Sequence, residues 1–300
     1  MLTIFTAPKP FYGHIGVIQT NAIRSWLLLR PECEVILFGD EEGIAEVATK
    51  FGIRHISNAE SNEYSTPLVS SMFSIAQDIA SHQVICYVNA DIILMSDFLP
   101  AVQRIYKYPF LMVGQRWDLE MSESVNFDGA QWEPELCDRV TRQGKLHPKS
   151  GIDYFVFPRG LYDDIPPFAI GRPGWDNWMI YQARSLKIPV IDATKIITII
   201  HQNHDYSHHT EGKTGVWEGP EYKRNVELMG GINHGFNLDY ATFLLTPRGL
   251  GPVLTLRHLY FRMRVIPMLY PGLYFLLIPF KVLEKSLRTI RLLREQLRTN

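Results

Sequence analysis

Val84-Ile-Cys-Tyr-Val-Asn-Ala-Asp-Ile-Ile-Leu94 is an apolar, β-branched run that breaks once, at Asn89-Ala90-Asp91, and then turns apolar again. A run without polar alternation reads as a strand covered on both faces, as in the middle of a parallel sheet. The break puts the carboxylate of Asp91 at the carboxyl end of that strand. On either side, runs of the same kind recur at Leu2 to Thr6, Glu34 to Phe38, Arg54 to Ile56, Phe110 to Val113, Tyr154 to Phe157 and Ile188 to Ile200, the last in one piece or two. Between them, apolar residues repeat at helical spacing over Ile15 to Leu29, Glu41 to Phe51, Leu68 to Ala80, Phe98 to Tyr106 and Asn177 to Leu186. Strands alternating with helices predict an α/β, Rossmann-like, mainly parallel sheet with helices on both faces, and ligands at the carboxyl ends of its strands. Two polar stretches, Asp118 to Ser150 and Gln202 to about Asn237, lack sustained periodicity and are read as irregular.

The chain has 300 residues, 46% hydrophobic and 20% charged, which suits one large domain with an appendage and argues against dominant disorder. The formal charge of -1 argues against a nucleic-acid partner, but it is unevenly spread. From Arg248 to Asn300 ten Lys/Arg face two Asp/Glu, a net +8, leaving -9 on residues 1–247. Cys33, Cys86 and Cys137 lack the paired spacing of zinc or redox sites and are read as reduced core thiols. Met1 to Phe11 has neither a basic start nor a long apolar stretch, so no secretory signal is expected and the protein is placed on the cytoplasmic side.

Asn89-Ala90-Asp91 taken alone fits an Asx-turn closing a strand. In its setting, Tyr87-Val-Asn-Ala-Asp-Ile-Ile-Leu94 resembles the DxD segment of GT-A glycosyltransferases, bacterial members in particular, with Asn89 in place of the first acid. The resemblance runs from the first strand to about His208 and implies a nucleotide-sugar donor with Mg²⁺ or Mn²⁺. It makes Asp91 a metal or ribose ligand and assigns His201, which follows the last strand, to the metal or diphosphate, with His204 second. It sets Thr6, Ala7 and Pro8 beside the nucleotide base and Lys9 at phosphate; a solvated Lys9 is the competing reading. Asp40, in Phe38-Gly39-Asp40, takes the place of an acid that binds the base, or else caps the next helix. Asp176, in Gly174-Trp-Asp-Asn-Trp178, matches the catalytic carboxylate at a helix start and would be the general base of an inverting transfer; helix capping is the alternative. Arg116, Trp117, Asp118, Asp153 and Trp175 are assigned to the acceptor side, with a structural Arg116–Asp118 pair and core packing of Trp175 as the competing readings. The histidine-rich segment after His201 has no cysteine and no HExxH pattern, which argues against a zinc site.

Together these residues lead to an expectation of sugar transfer to a glycan or lipid-linked acceptor in cell-surface polysaccharide synthesis. A nucleotidyltransferase of similar fold and a non-catalytic glycan-binding scaffold derived from a transferase are the alternatives. For the nucleotidyltransferase, the single glycine between Thr6 and Gly13 is a poor phosphate loop; for the scaffold, Asn89 is the best support.

Residues 248–300 read as a separate helical tail that associates with a membrane. Val265 to Phe280 is uncharged and mostly apolar but is broken by Pro267, Pro271 and Pro279, and it is shorter than the roughly 20 residues a spanning helix needs. Val282 to Leu297 repeats apolar residues on one helical side among Lys285, Arg288, Arg291 and Arg294. Residues 260–300 are therefore expected to make peripheral contact with the inner face of the membrane, a helix docked on the catalytic domain or on a second subunit being the alternative.

Overall fold

The computed structural model describes residues 2–105, 109–204, 212–276 and 278, in two compact units, Met1–Pro252 and Val253–Asn300. Among the described residues of the first unit the order is β1 (Leu2–Thr6), α1 (Gly13–Leu27), β2 (Glu34–Phe38), α2 (Ile44–Phe51), β3 (Arg54–Ile56), α3 (Val69–Ile79), β4 (Val84–Val88), β5 (Ile92–Leu94), α4 (Phe98–Gln103), β6 (Leu111–Val113), β7 (Trp117–Leu119), α5 (Trp132–Gln143), β8 (Lys145–Leu146) and β9 (Tyr154–Pro158). It continues with α6 (Trp175–Ser185), β10 (Val190–Asp192), β11 (Ile199–Gln202), α7 (Gly212–Glu218), α8 (Pro220–Leu228), β12 (Phe243–Thr246) and β13 (Gly249–Pro252).

The large sheet has the order β13-β12-β10-β6-β9-β4-β1-β2-β3. Its neighbours run parallel except where β9 lies between β4 and β6 and where β12 pairs with β13. Every residue of β1 and β4 is buried, as expected for strands covered on both sides. Leu2, Ile4, Val84, Cys86 and Val88 point into a core with Ala22, Ile23 and Trp26 of α1 and Phe98 of α4. The alternate residues Phe5, Tyr87, Phe155 and Phe157 pack on the other side with Phe73 of α3 and Trp175 of α6. The mixed α/β architecture with a mainly parallel sheet is thus the one predicted.

A second sheet, β5-β11-β7-β8, was not anticipated. The Ile188 to Ile200 run is two strands in two sheets. An Asx turn separates them, in which Asp192 Oδ1 accepts the Thr194 amide and hydroxyl. Asp118 to Ser150, read as irregular, contains the end of β7, β8 and the helix α5. That helix buries little beyond Leu136 and Val140, so its apolar stripe is too narrow to show as a periodicity. Pro134 lies in its first turn, where a missing N–H has no cost. The Gln202 to Asn237 stretch likewise contains α7 and α8, the latter opened by Pro220 at its first position. Cys33, Cys86 and Cys137 are free thiols, but only Cys86 is a core residue; Cys137 is exposed on α5.

The second unit has α9 (Leu256–Leu269), capped by the Thr255 hydroxyl accepting from the His258 amide, and a 3₁₀ turn at Pro271–Leu276. Among the described residues no helix is long and apolar enough to cross a membrane. The basic amphipathic helix expected over Val282 to Leu297 lies outside the described residues.

Candidate active site

Because β1 and β4 are parallel neighbours, the loop after Thr6 and the turn after Val88 emerge at the same rim of the sheet. Strand β9 runs the other way beside β4, with Tyr154 opposite Val88, so it is the residue before β9, Asp153, that reaches this rim. Strand β11 lies between β5 and β7 in the small sheet, with His201 in register with Ile92 and with Asp118. Two sheets therefore deliver four chain segments to one place, where a cavity of about 370 Å³ opens. That is within the size range of small-molecule sites.

Asp91, His201 and His204 line the cavity, and one ligand atom from each lies within 4.8 Å of the other two. His204 Nε2 is 3.1 Å and His201 Nε2 3.7 Å from Asp91 Oδ2. Asp91 Oδ1 is buried and has no hydrogen-bond partner among the described residues. A two-histidine, one-carboxylate group with an unmet carboxylate oxygen fits a divalent cation, and its imidazoles suit a first-row transition ion better than Mg²⁺, which prefers oxygen. Burial alone would raise the Asp91 pKa; the His201 charge and the His204 contact outweigh it and hold the carboxyl well below its usual range. For His201, burial opposes the proton, while the Asp91 charge and Asp118 raise its pKa overall.

The second tier of residues sets those orientations. His201 Nδ1 is 3.4 Å from Asp118 Oδ1 and 3.2 Å from Asn203 Oδ1, which leaves Nε2 turned to Asp91. Asp118 Oδ2 lies 2.7 Å from His147 Nδ1, and Asp118 Oδ1 accepts from Arg116 Nε at 2.9 Å. Arg116 Nη1 donates to Asp153 Oδ1 at 2.6 Å, and Asn89 Nδ2 donates to the same oxygen at 2.8 Å. Buried Gln202 ties the two sheets to α1: its Nε2 donates to the carbonyls of Ile18 and Asp91, and its Oε1 accepts from Asn21.

The other predicted site residues are placed as follows. Ala7, Pro8, Lys9, Asn89, Arg116 and Asp153 are on the cavity wall. Thr6 is fully buried behind it. Asp40 is exposed and off the wall, where its neighbour Glu41 stands instead; nor does Asp40 cap α2, which starts later, after Gly43. Trp117 packs against the small apolar cluster of Ile93, Leu119 and Ile200. Trp175 is core, edge-on to Tyr87 at 5.1 Å, and presents no face to a sugar. Asp176, at the start of α6, is half-buried and not on the wall, but its charge is felt by Tyr87 and Asp153, which are. Burial pushes the Asp176 pKa up to about 6, against the lowering effect of the Asn177 and Gly174 amides.

Three contributors were missed. Gln19, buried in α1, accepts from the Lys9 amide at 2.6 Å and donates to the Lys9 carbonyl at 2.8 Å, so it clamps the first loop. A polar residue on the apolar side of a helix was the available signal. His147 and Arg172 had no distinguishing sequence context. Arg172 lines the cavity and pairs with buried Glu221 at 2.6 Å.

No protein-family model matches the chain, and no curated protein matches it. Among solved structures, it is similar to glucosyl-3-phosphoglycerate synthase from Mycobacterium tuberculosis in complex with Mg²⁺ and UDP, with 14% identity, 77% of this chain and 80% of that one covered, and a TM-score of 0.46. The same enzyme with Mn²⁺, UDP-glucose and phosphoglyceric acid matches at 14% identity, the same coverage and a TM-score of 0.45. S. aureus TarS 1-349 matches at 11% identity, 67% and 57% coverage and a TM-score of 0.40. All three are remote likenesses.

Proposed function

We propose that this protein is a nucleotide-sugar-dependent glycosyltransferase that moves a sugar from a nucleoside diphosphate donor to a glycan or lipid-linked acceptor of a cell-surface polysaccharide. The observation that carries the reading is the meeting of Asp91, His201 and His204, with the unpartnered Asp91 Oδ1, beside the Ala7 to Lys9 loop at the carboxyl rim of the sheet. Sugar transfer releases a nucleoside diphosphate, and these are the groups that its growing charge requires. Asp91, His201 and His204 would hold Mn²⁺ or Mg²⁺, which when bound supplies Lewis-acid neutralisation of that charge.

Lys9 adds a fixed cation at the phosphate side, its backbone held by Gln19. Asp176 stands behind the wall, with its charge close enough to act on Tyr87, and is assigned the proton of an acceptor hydroxyl that reaches past the wall to it; a carboxyl raised to about 6 is a stronger base than an ordinary aspartate while still ionised at neutral pH. Attack from the face opposite the leaving group inverts the anomeric centre. Arg116 and Asp118 brace the cavity through their contacts with Asp153 and His147. The tail from residue 260 onward makes peripheral contact with the inner membrane face, a reading supported by the basic composition of 248–300 and by exposed Met263, Phe275 and Ile278.

Calorimetric titration with UDP, GDP, ADP, CDP and TDP, with and without Mn²⁺, tests this reading, followed by a screen of nucleotide sugars for donor hydrolysis. Manganese-dependent binding of one diphosphate is expected. Absence of binding by all five rejects the transferase and leaves the scaffold reading.

A further inference from the structure

Asp153 lies on the cavity wall and is 4% exposed, and its two oxygens are in opposite situations. Oδ1 accepts from Arg116 Nη1 and from Asn89 Nδ2. Oδ2 is buried and has no partner among the described residues. The assignment of oxygens is not arbitrary. Tyr87 Oη donates to Asn89 Oδ1 at 3.0 Å, which turns the Asn89 amide nitrogen towards Asp153 and leaves Oδ2 as the oxygen without a donor.

A buried carboxylate oxygen with no donor loses free energy unless a ligand supplies one. A second cation is a poor candidate, because the Arg116 guanidinium is 2.6 Å from the other oxygen of the same carboxylate and would repel it. A neutral O–H is the group that fits. Its position within the ligand follows from the backbone: the Asn89 amide donates to the Asp153 carbonyl at 2.9 Å, and Asn89 is two residues from Asp91. Asp153 is thereby joined to the turn that carries Asp91 on the same wall, and the part of a donor next to its diphosphate is the sugar bonded to it. On the transferase reading, we infer that Asp153 Oδ2 accepts a hydroxyl of the transferred sugar and so selects the donor sugar, with Asn89, Arg116 and Tyr87 fixing which oxygen is offered. This moves Asp153 from the acceptor side, where the sequence put it, to the donor.

Asp153→Asn tests the assignment without changing volume. Arg116 and Asn89 both donate towards the Oδ1 position, so the amide oxygen must take that place and the amide N–H₂ faces the cavity, a donor where an acceptor stood. The measurement is the Kd of UDP, GDP, ADP, CDP and TDP and of their glucose, galactose and mannose conjugates, for the wild type and the variant, with Mn²⁺. In the wild type, sugars that differ at a single hydroxyl are expected to differ about 10-fold or more in affinity, and in Asp153→Asn by less than about 3-fold, with the parent diphosphate binding equally to both proteins. Asp153→Glu, which keeps the ion pair and shifts the free oxygen by one methylene, gives the same readout if the amide variant does not fold. A wild type indifferent to the sugar, or a variant with the wild-type sugar ranking, overturns the Asp153 assignment while diphosphate binding stands. Failure of every diphosphate to bind overturns the transferase reading and this assignment together.

Discussion

Asn89 donates its side-chain amide to Asp153 at 2.8 Å. This contact accounts for an amide at this position. An aspartate at 89 would face the Asp153 carboxylate across the same gap, and one of the two would have to take up a proton or move. Asn89→Asp is therefore expected to lower donor affinity at pH 7 by about 10-fold or more and to restore part of it as the pH falls and one carboxyl is protonated. Equal affinity at pH 7 in calorimetry would show that the pair can be separated at no cost.

Asp91 is in the turn between β4 and β5, His201 is in β11 beside β5, and His204 is two residues beyond β11. Asp91→Ala and His201→Ala are each expected to reduce Mn²⁺ affinity about 100-fold, and His204→Ala at least 10-fold, with unchanged circular dichroism. After treatment with a chelator, Mn²⁺ should restore more donor hydrolysis than equimolar Mg²⁺, because two imidazoles are a softer ligand set than Mg²⁺ favours. Preferential restoration by Mg²⁺ would argue that the histidines do not reach the ion.

Asp176 predicts both a pH profile and a stability change. If it is the general base proposed above it must be ionised, so kcat/KM should rise with pH through about 6 and level off above it. Asp176→Asn should lose about 100-fold or more in kcat and lose that limb of the profile. Its folded-state pKa is raised, so the stability it contributes is fully present below the ordinary aspartate value and is lost as pH rises through about 6. The asparagine variant escapes that loss and should be about 1–2 kcal/mol more stable than the wild type at pH 8, with little difference at pH 3.5. A variant that unfolds more easily at pH 8 in urea would indicate a structural cap in place of a base.

Gln202 has no exposed surface and joins Ile18, Asn21 and Asp91. Gln202→Ala removes three side-chain hydrogen bonds from a fully buried position, while Asn21 Nδ2 keeps the Glu123 carbonyl and the Asp91 carbonyl keeps the residue-202 amide; it is expected to cost about 2–3 kcal/mol in denaturant unfolding and to weaken Mn²⁺ binding by loosening the Asp91 turn. A loss of stability with unaltered metal affinity would confine the residue to folding.

The tail is tested by deleting residues 260–300 and measuring sedimentation with vesicles containing an anionic lipid. Intact protein should pellet with these vesicles and do so less at high salt, while the truncated protein stays in the supernatant. Equal partition of the two proteins removes the anchor.

The sheet and its neighbours could be read from the sequence because β1 and β4 are covered on both faces, and such strands must be continuous apolar runs wherever they occur. Asp91 was legible for the same reason: a carboxylate interrupting such a run can only stand at a strand end. The amphipathic helices α1 and α3 followed from their wide apolar sides. By contrast, α5 buries so little that its period hardly shows, and β5, β7 and β8 span two or three residues each, too short for any pattern. Only the tertiary structure decided the roles of partners. Asp153 reaches the rim because β9 runs antiparallel to β4, Trp175 turns into the core although it is next to Asp176, and Asp40 ends outside the cavity although its strand is an interior one. Local sequence carries the burial pattern of a segment, because burial acts on each residue separately. Which side chains meet depends on strand direction and register, and these are settled by contacts between residues far apart in the chain.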